Sequence, residues 1–208
     1  MTIRYEEKAF VRYFTAYNSC VKSPYTDFWT KTGKTIIHLN IRPGMDLGSA
    51  TFIDNTFANP QKYNFGNQVS FRIGVELELL LPFNRNKWAV VVEPAYRSYT
   101  GKTSGLQVDY KAFQFLLGGR YFLIDGPSKW YLTAAIYGDF PTNSSLAYEN
   151  SDLSFVARFG ASVSAGYRYK DRLGLELKYS PPQPVLANYL ALGMKLSTAS
   201  AILSFRIL

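Results

Sequence analysis

The chain has 208 residues and a formal net charge of +8; 47% of it is apolar and 16% aromatic, but only 18% is charged. No stretch approaches the roughly 20 consecutive apolar residues of a spanning helix, so a membrane protein of this sequence has to be a closed barrel, in which every backbone amide is paired. The lysines and arginines are scattered singly along the chain, which argues against a nucleic-acid partner, and a lone cysteine, Cys20, with no CxxC spacing, provides neither an internal disulfide nor a metal site.

Residues 1–34 do not alternate. Ala9, Phe10, Tyr13, Phe14 and Tyr17 recur at three and four, the spacing of a short amphipathic helix. Tyr17-Asn18-Ser19-Cys20 is expected to end it, and a polar run with Pro24 follows. The segment reads as a packed linker or as a periplasmic extension whose Cys20 pairs with a cysteine outside this chain. Met1 to Glu7 lacks the apolar core of a signal peptide, so a leader is expected upstream. The expected division is an extension over 1–34 and a barrel over 35–208.

From Ile37 the pattern changes to a period of two. In the first strand, Ile37, Leu39, Ile41, Pro43, Met45 and Leu47 face one way and His38, Asn40, Arg42 and Asp46 the other. Ser49 to Gly66 reads as a polar, aromatic loop. The second strand, Val69 to Leu81, sets Phe71, Ile73, Val75, Leu77 and Leu79 against Arg72, Glu76 and Glu78, and the turn Pro82 to Lys87 follows. The third, Trp88 to Tyr99, sets Val90, Val92, Pro94 and Tyr96 against Glu93 and Arg97; Pro43 and Pro94 are expected at bulges, since proline removes a ladder donor. After a loop over Gly101 to Leu106, the fourth strand opposes Phe113, Phe115, Leu117, Tyr121 and Leu123 to Gln114 and Arg120.

Asp125 to Lys129 is a tight turn. The fifth strand opposes Trp130, Leu132, Ile136 and Phe140 to Tyr131, Thr133 and Asp139, and a polar loop runs from Pro141 to Asp152. The sixth strand, Leu153 to Tyr169, is the clearest: one parity is apolar and ends in Tyr167 and Tyr169, the other, Val156 excepted, is small or cationic, with Arg158 and Arg168. It far exceeds the roughly 5–6 residues of an ordinary globular strand. Beyond the turn Lys170 to Arg172, Leu173, Leu175, Leu177 and Tyr179 oppose Glu176 and Lys178. A loop with Pro181, Pro182 and Pro184 leads to the last strand, Met194 to Leu208, where Ala199, Ala201, Leu203, Phe205 and Ile207 oppose Thr198, Ser200, Ser204 and Arg206.

Eight strands with alternating long and short connections predict an all-β, eight-stranded antiparallel up-and-down transmembrane β-barrel, with a short, partly helical periplasmic extension. Short turns on the periplasmic side place both barrel ends there. The direction of the faces follows from the polar parity, which is Gly, Ala and Ser interleaved with Arg42, Arg72, Arg97, Arg120, Arg158, Arg168 and Arg206, with Asp46, Glu76, Glu78, Glu93, Asp139 and Glu176, and with Lys178 as the one lysine. Arginine forks pair with carboxylates in confined space better than point-like lysines do, so these residues are expected to form a charge network filling the lumen. Trp88 and Trp130 start strands after short turns, and Tyr121, Tyr167 and Tyr169 end strands that run into them; the five are expected in one periplasmic aromatic girdle.

The final AILSFRIL resembles the terminal assembly signal of outer-membrane proteins, although the family's final aromatic is replaced by Leu208. FRIGVELELLLPFNRNKWAVVVEPAYRSY (Phe71 to Tyr99), VDYK (Val108 to Lys111) and AGYRY (Ala165 to Tyr169) resemble a Bacteroidota outer-membrane barrel family of unknown function, of the OmpX- and OmpA-like eight-stranded kind. FVRYFTAYNSC resembles the segment before the barrel in its longer members. The resemblance implies a periplasmic domain upstream and no particular activity.

An eight-stranded lumen is just filled by side chains, so the leading expectation is a non-enzymatic structural or accessory subunit of a larger envelope complex. It has no catalytic, cofactor-binding or metal residues. Its partners are outer-membrane lipid (lipopolysaccharide and phospholipid) and other outer-membrane proteins. The alternative is a barrel that binds apolar small molecules or passes them sideways, with Pro43 and Pro94 marking kinks in the wall. An enzyme would need an extracellular constellation; the single His38 falls at the other end, as a lumen hydrogen-bonder.

Overall fold

A computed structural model of the chain describes residues 7–21, 35–56, 60–103, 106–123, 126–148, 151–186 and 190–208. The chain divides into two units, Met1–Lys34 and Thr35–Leu208. In the first, helix α1 spans Glu7–Val21, its last residue one position past Tyr17-Asn18-Ser19-Cys20, the run expected to end it. Phe14, Tyr17 and Cys20 are exposed on it. The polar run around Pro24 lies outside the described residues.

The second unit is built from β1 (Ile36–Asp54), β2 (Gln61–Leu80), β3 (Trp88–Thr103), β4 (Leu106–Phe122), β5 (Lys129–Pro141), β6 (Ser145–Tyr148), β7 (Ser151–Ser154), β8 (Arg158–Tyr169), β9 (Leu173–Pro184) and β10 (Leu192–Arg206). Eight of these form the wall, in the antiparallel order β1-β2-β3-β4-β5-β8-β9-β10. The β1–β10 ladder, from Asn40↔Arg206 to Asp54↔Leu192, closes it. Closure removes the edges that lipid would leave unpaired. The β6–β7 hairpin continues the wall at its long-loop end, where β6 pairs with Gln107–Asp109 of β4. At the opposite end lie the short turns and both barrel termini, with the Leu39 amide donating to the Leu208 carbonyl at 3.0 Å.

Several segments expected as loops are strand. β1 and β2 run through most of Ser49 to Gly66, β3 and β4 approach each other as far as Thr103↔Leu106, β9 continues to Pro184, and the loop after Pro141 carries the β6–β7 hairpin. The expected sixth strand is two: β7 and β8 are separated at 155–157, where Phe155 bridges to Leu186. The interruption shifts parity, so Leu153 is 7% exposed inside the barrel and Phe155 stacks on Tyr110 at 5.1 Å, instead of joining Phe159 on the oily exterior.

The bulges also fall elsewhere than expected. Pro43 and Pro94 stay in register with Ile73 and Phe115, each leaving only a gap of two rows in the ladder on its other side. The register shifts lie higher, between Ser49 and Thr51 of β1 against β2, and between Leu196 and Thr198 of β10 against β9. In β2 the extra residue falls at Gly66, whose φ of 68° suits glycine, and the Asn64 side chain accepts its amide at 2.8 Å. This bulge turns Phe65 inward, where it is 3% exposed.

Candidate functional site

The wall has an apolar exterior over a limited height. On β2 it runs from Leu79 to Val69, eleven residues in all, which at about 3.3 Å per residue and about 40° of tilt span roughly 25 Å. Phe71, Phe115, Ile136, Phe159 and Leu177 stand between 51% and 77% exposed around it. A surface of that extent does not face water in a monomer. At the short-turn edge of the band, Trp88 pairs with Tyr121 and Trp130 with Tyr167, ring centroids 4.9 and 5.0 Å apart. Tyr169 points outward at the same edge, 5.2 Å from the Lys170 ammonium.

Behind the band the inward parity carries charge. Six cations, Arg42, Arg72, Arg97, Arg120, Arg168 and Lys178, and six carboxylates, Asp46, Glu76, Glu78, Glu93, Asp139 and Glu176, are buried there. Arg42 pairs with Glu76, with Glu176 at 2.9 Å and with Glu93 at 3.7 Å. Arg120 reaches Glu76 at 2.7 Å and Glu176 at 3.2 Å, and also pairs with Glu78. Arg72 meets Glu93 at 2.8 Å; Arg97 lies 3.5 Å from both Asp46 and Asp139. Arg168 grips both oxygens of Glu78, at 2.8 and 2.6 Å, while His38 Nδ1 lies 3.0 Å from the same carboxylate. Lys178 donates to Gln114 Oε1 at 3.3 Å.

Two expected members sit at the margins. Arg206, at the short-turn rim, is 4.0 Å from Glu78 and from Asp171. Arg158 donates to the Leu186 carbonyl at 3.0 Å, at the long-loop end of the tier. Between Arg42, Glu76, Glu93, Arg120 and Glu176 the remaining cavity is about 10 Å³, close to the least that admits one water. Toward the short turns, Leu80, Ala89, Phe122 and Tyr131 form a small apolar floor.

Apart from Asp54 at the end of β1, which accepts from the Thr56 amide at 2.8 Å, the long-loop half of the lumen is apolar, which the sequence reading missed. Ala50, Phe52, Val108, Tyr110, Leu146 and Met194 are at most 1% exposed and pack with Phe65, Tyr99, Leu106, Leu153, Val185, Leu186 and Leu196. The wall's sidedness inverts between the two halves. On β3 and β4 the register is unbroken: the outward pair Tyr96↔Phe113 gives way to Thr100↔Asp109 and Lys102↔Gln107. The inward pair Arg97↔Ala112 gives way to Tyr99↔Tyr110 and Gly101↔Val108. One continuous wall is thus oily outside and charged inside below this level, and polar outside and oily inside above it. That is the pattern of a barrel leaving lipid for water, because each solvent selects the opposite face.

No family model matches the chain, and no curated protein matches it. Among solved structures, the outer-membrane protein OprG from Pseudomonas aeruginosa aligns over 84% of this chain and 97% of its own, at 14% identity and a TM-score of 0.54. Neisserial surface protein A aligns over 80% of this chain and 96% of its own, at 17% identity and a TM-score of 0.48. At such identities the likeness is one of fold, and it rests on the first alignment. The chain has the fold of an eight-stranded outer-membrane β-barrel.

Proposed function

We propose that this chain is a non-conducting, non-enzymatic integral barrel of the bacterial outer membrane, with its short turns in the periplasm, that serves as a structural or accessory subunit of an envelope assembly. The observation that carries this reading is a lumen filled at two levels by unlike means, charge pairs below and an apolar core above. A channel needs one continuous wetted path, and both fillings oppose it.

An accessory role draws support from α1, where Phe14, Tyr17 and Val21 are 57–58% exposed and available to another surface. The test of closure is planar-bilayer recording of the purified chain. No steady current is expected; large, stable currents would refute the reading. Purification from native membranes in mild detergent, with and without residues 7–21, tests the accessory role: a partner is expected with the full chain and lost with the truncated one.

A further inference from the structure

We infer that the outer wall at β1, β2, β9 and β10 carries a binding site for a phosphorylated, polyacylated glycolipid of the lipid A class. The inference rests on the outer-membrane orientation proposed above. Two features meet there. The first is a recess of about 770 Å³ in the wall, lined on β1, β9 and β10 by Met45, Leu47, Leu177, Tyr179, Ala199 and Ala201 and continued onto β2, β5 and β8. The small outward side chains Ala199 and Ala201 coincide with small inward ones, Ser180 and Ser200, on the same wall.

The second feature is a pair of lysines above the recess. On β10 the outward positions above Ala199 are Ser197 and Lys195, so the lysine lies four residues, or roughly 13 Å of strand, from the recess. Lys195 is level with Thr51 of β1, which is level with Asn64 of β2; Lys62 follows one outward position higher, beside Ile53. Lys62, Asn64 and Lys195 are exposed. No carboxylate among the described residues pairs with either lysine, whereas Lys111 on β4 is held by Asp109 at 2.9 Å.

The recess lies inside the apolar band and opens sideways, so its occupant arrives from the bilayer and is hydrocarbon there. The same occupant has to present negative charge and hydrogen-bond acceptors one headgroup height above, to two ammonium groups, a hydroxyl and an amide. A second copy related by a two-fold axis along the membrane normal would set these lysines against each other, which disfavours self-association on this face. An acyl chain in the recess with its phosphate between Lys62 and Lys195 satisfies both requirements. With the long-loop end outward, that leaflet supplies the glycolipid.

The test uses the full chain in phosphatidylcholine nanodiscs, titrated with lipid A, dephosphorylated lipid A and phosphatidylglycerol, with retention read by native mass spectrometry. Lipid A should be retained in preference to both others. K62Q/K195Q should lose about tenfold or more in retention, as expected for two lysines near an anionic surface, while Lys102→Gln should leave it unchanged. A199F/A201F, which fills the recess and keeps the lysines, should also reduce retention. Equal retention of the three lipids, or unaltered retention by K62Q/K195Q, overturns the site while leaving the barrel's membrane insertion intact. Failure of the wild-type chain to enter bilayers overturns both the site and the outer-membrane reading.

Discussion

The Tyr131 ring lies directly against Gly166, its registered partner across β5 and β8, so closely that a Cβ on Gly166 would overlap the ring's Cζ and hydroxyl. That position lets the Tyr131 hydroxyl donate to Glu176 at 3.0 Å and holds the ring 4.3 Å from the Arg120 guanidinium. A missing side chain on one strand thereby positions the hub of the charge network from another.

Gly166→Ala is expected to displace Tyr131 and lower barrel stability by about 1–3 kcal/mol, the usual cost of overpacking. Gly119→Ala is its control, because a Cβ there meets nothing within 4 Å. Urea unfolding in phosphatidylcholine vesicles compares them; equal effects would show that the close contact with Tyr131 is not what constrains Gly166.

Arg120 contacts three carboxylates, Glu76, Glu78 and Glu176. Arg120→Ala should cost about 3–5 kcal/mol, because it leaves buried charge uncompensated. Glu76→Gln in the Arg120→Ala background should restore part of the loss, since the two residues share one network. Strict additivity in a double-mutant cycle would deny their coupling.

These relationships differ in how far the chain betrays them. The lower half of the barrel was legible because lipid demands a long, uninterrupted oily face, so that Phe71, Val75 and Leu79 mark their strand by themselves. The same alternation put Arg72 and Glu76 on a shared parity, but which arginine meets which acid depends on strands far apart in sequence, as with Arg168 and Glu78. The upper half was hidden by the inversion itself. Thr51, Asn64 and Thr100 face water there, so a search for oily-out alternation reads loop where β1, β2 and β3 continue. The bulge at Gly66 and the break at 155–157 shift parity as well, which sends Phe65, Leu153 and Phe155 to the inside.

Phe52 is fully buried in the upper apolar tier. Phe52→Ala should destabilise the barrel by about 3–5 kcal/mol yet leave bilayer current at baseline, because the charged tier beneath still closes the tube. Single-channel recording and urea unfolding on one sample separate the two effects. Current appearing with this substitution alone would mean that the ion pairs do not seal the lumen.

The inversion of sidedness makes the cost of one added charge depend on height. Leu117, outward in the middle of the band and 45% exposed, should tolerate arginine poorly: Leu117→Arg is expected to cost about 2–4 kcal/mol in a bilayer, and a substitution beyond the interface about 0–1. Thr100→Arg, outward but above the inversion, should therefore unfold close to wild type. Val108→Arg, inward at the level of Gly101, should be severely destabilising because it places an unpaired charge in the apolar tier. The three are measured together by urea titration in vesicles. A Leu117→Arg variant as stable as Thr100→Arg would mean that the band does not face hydrocarbon, whereas a tolerated Val108→Arg would mean that water enters the upper lumen.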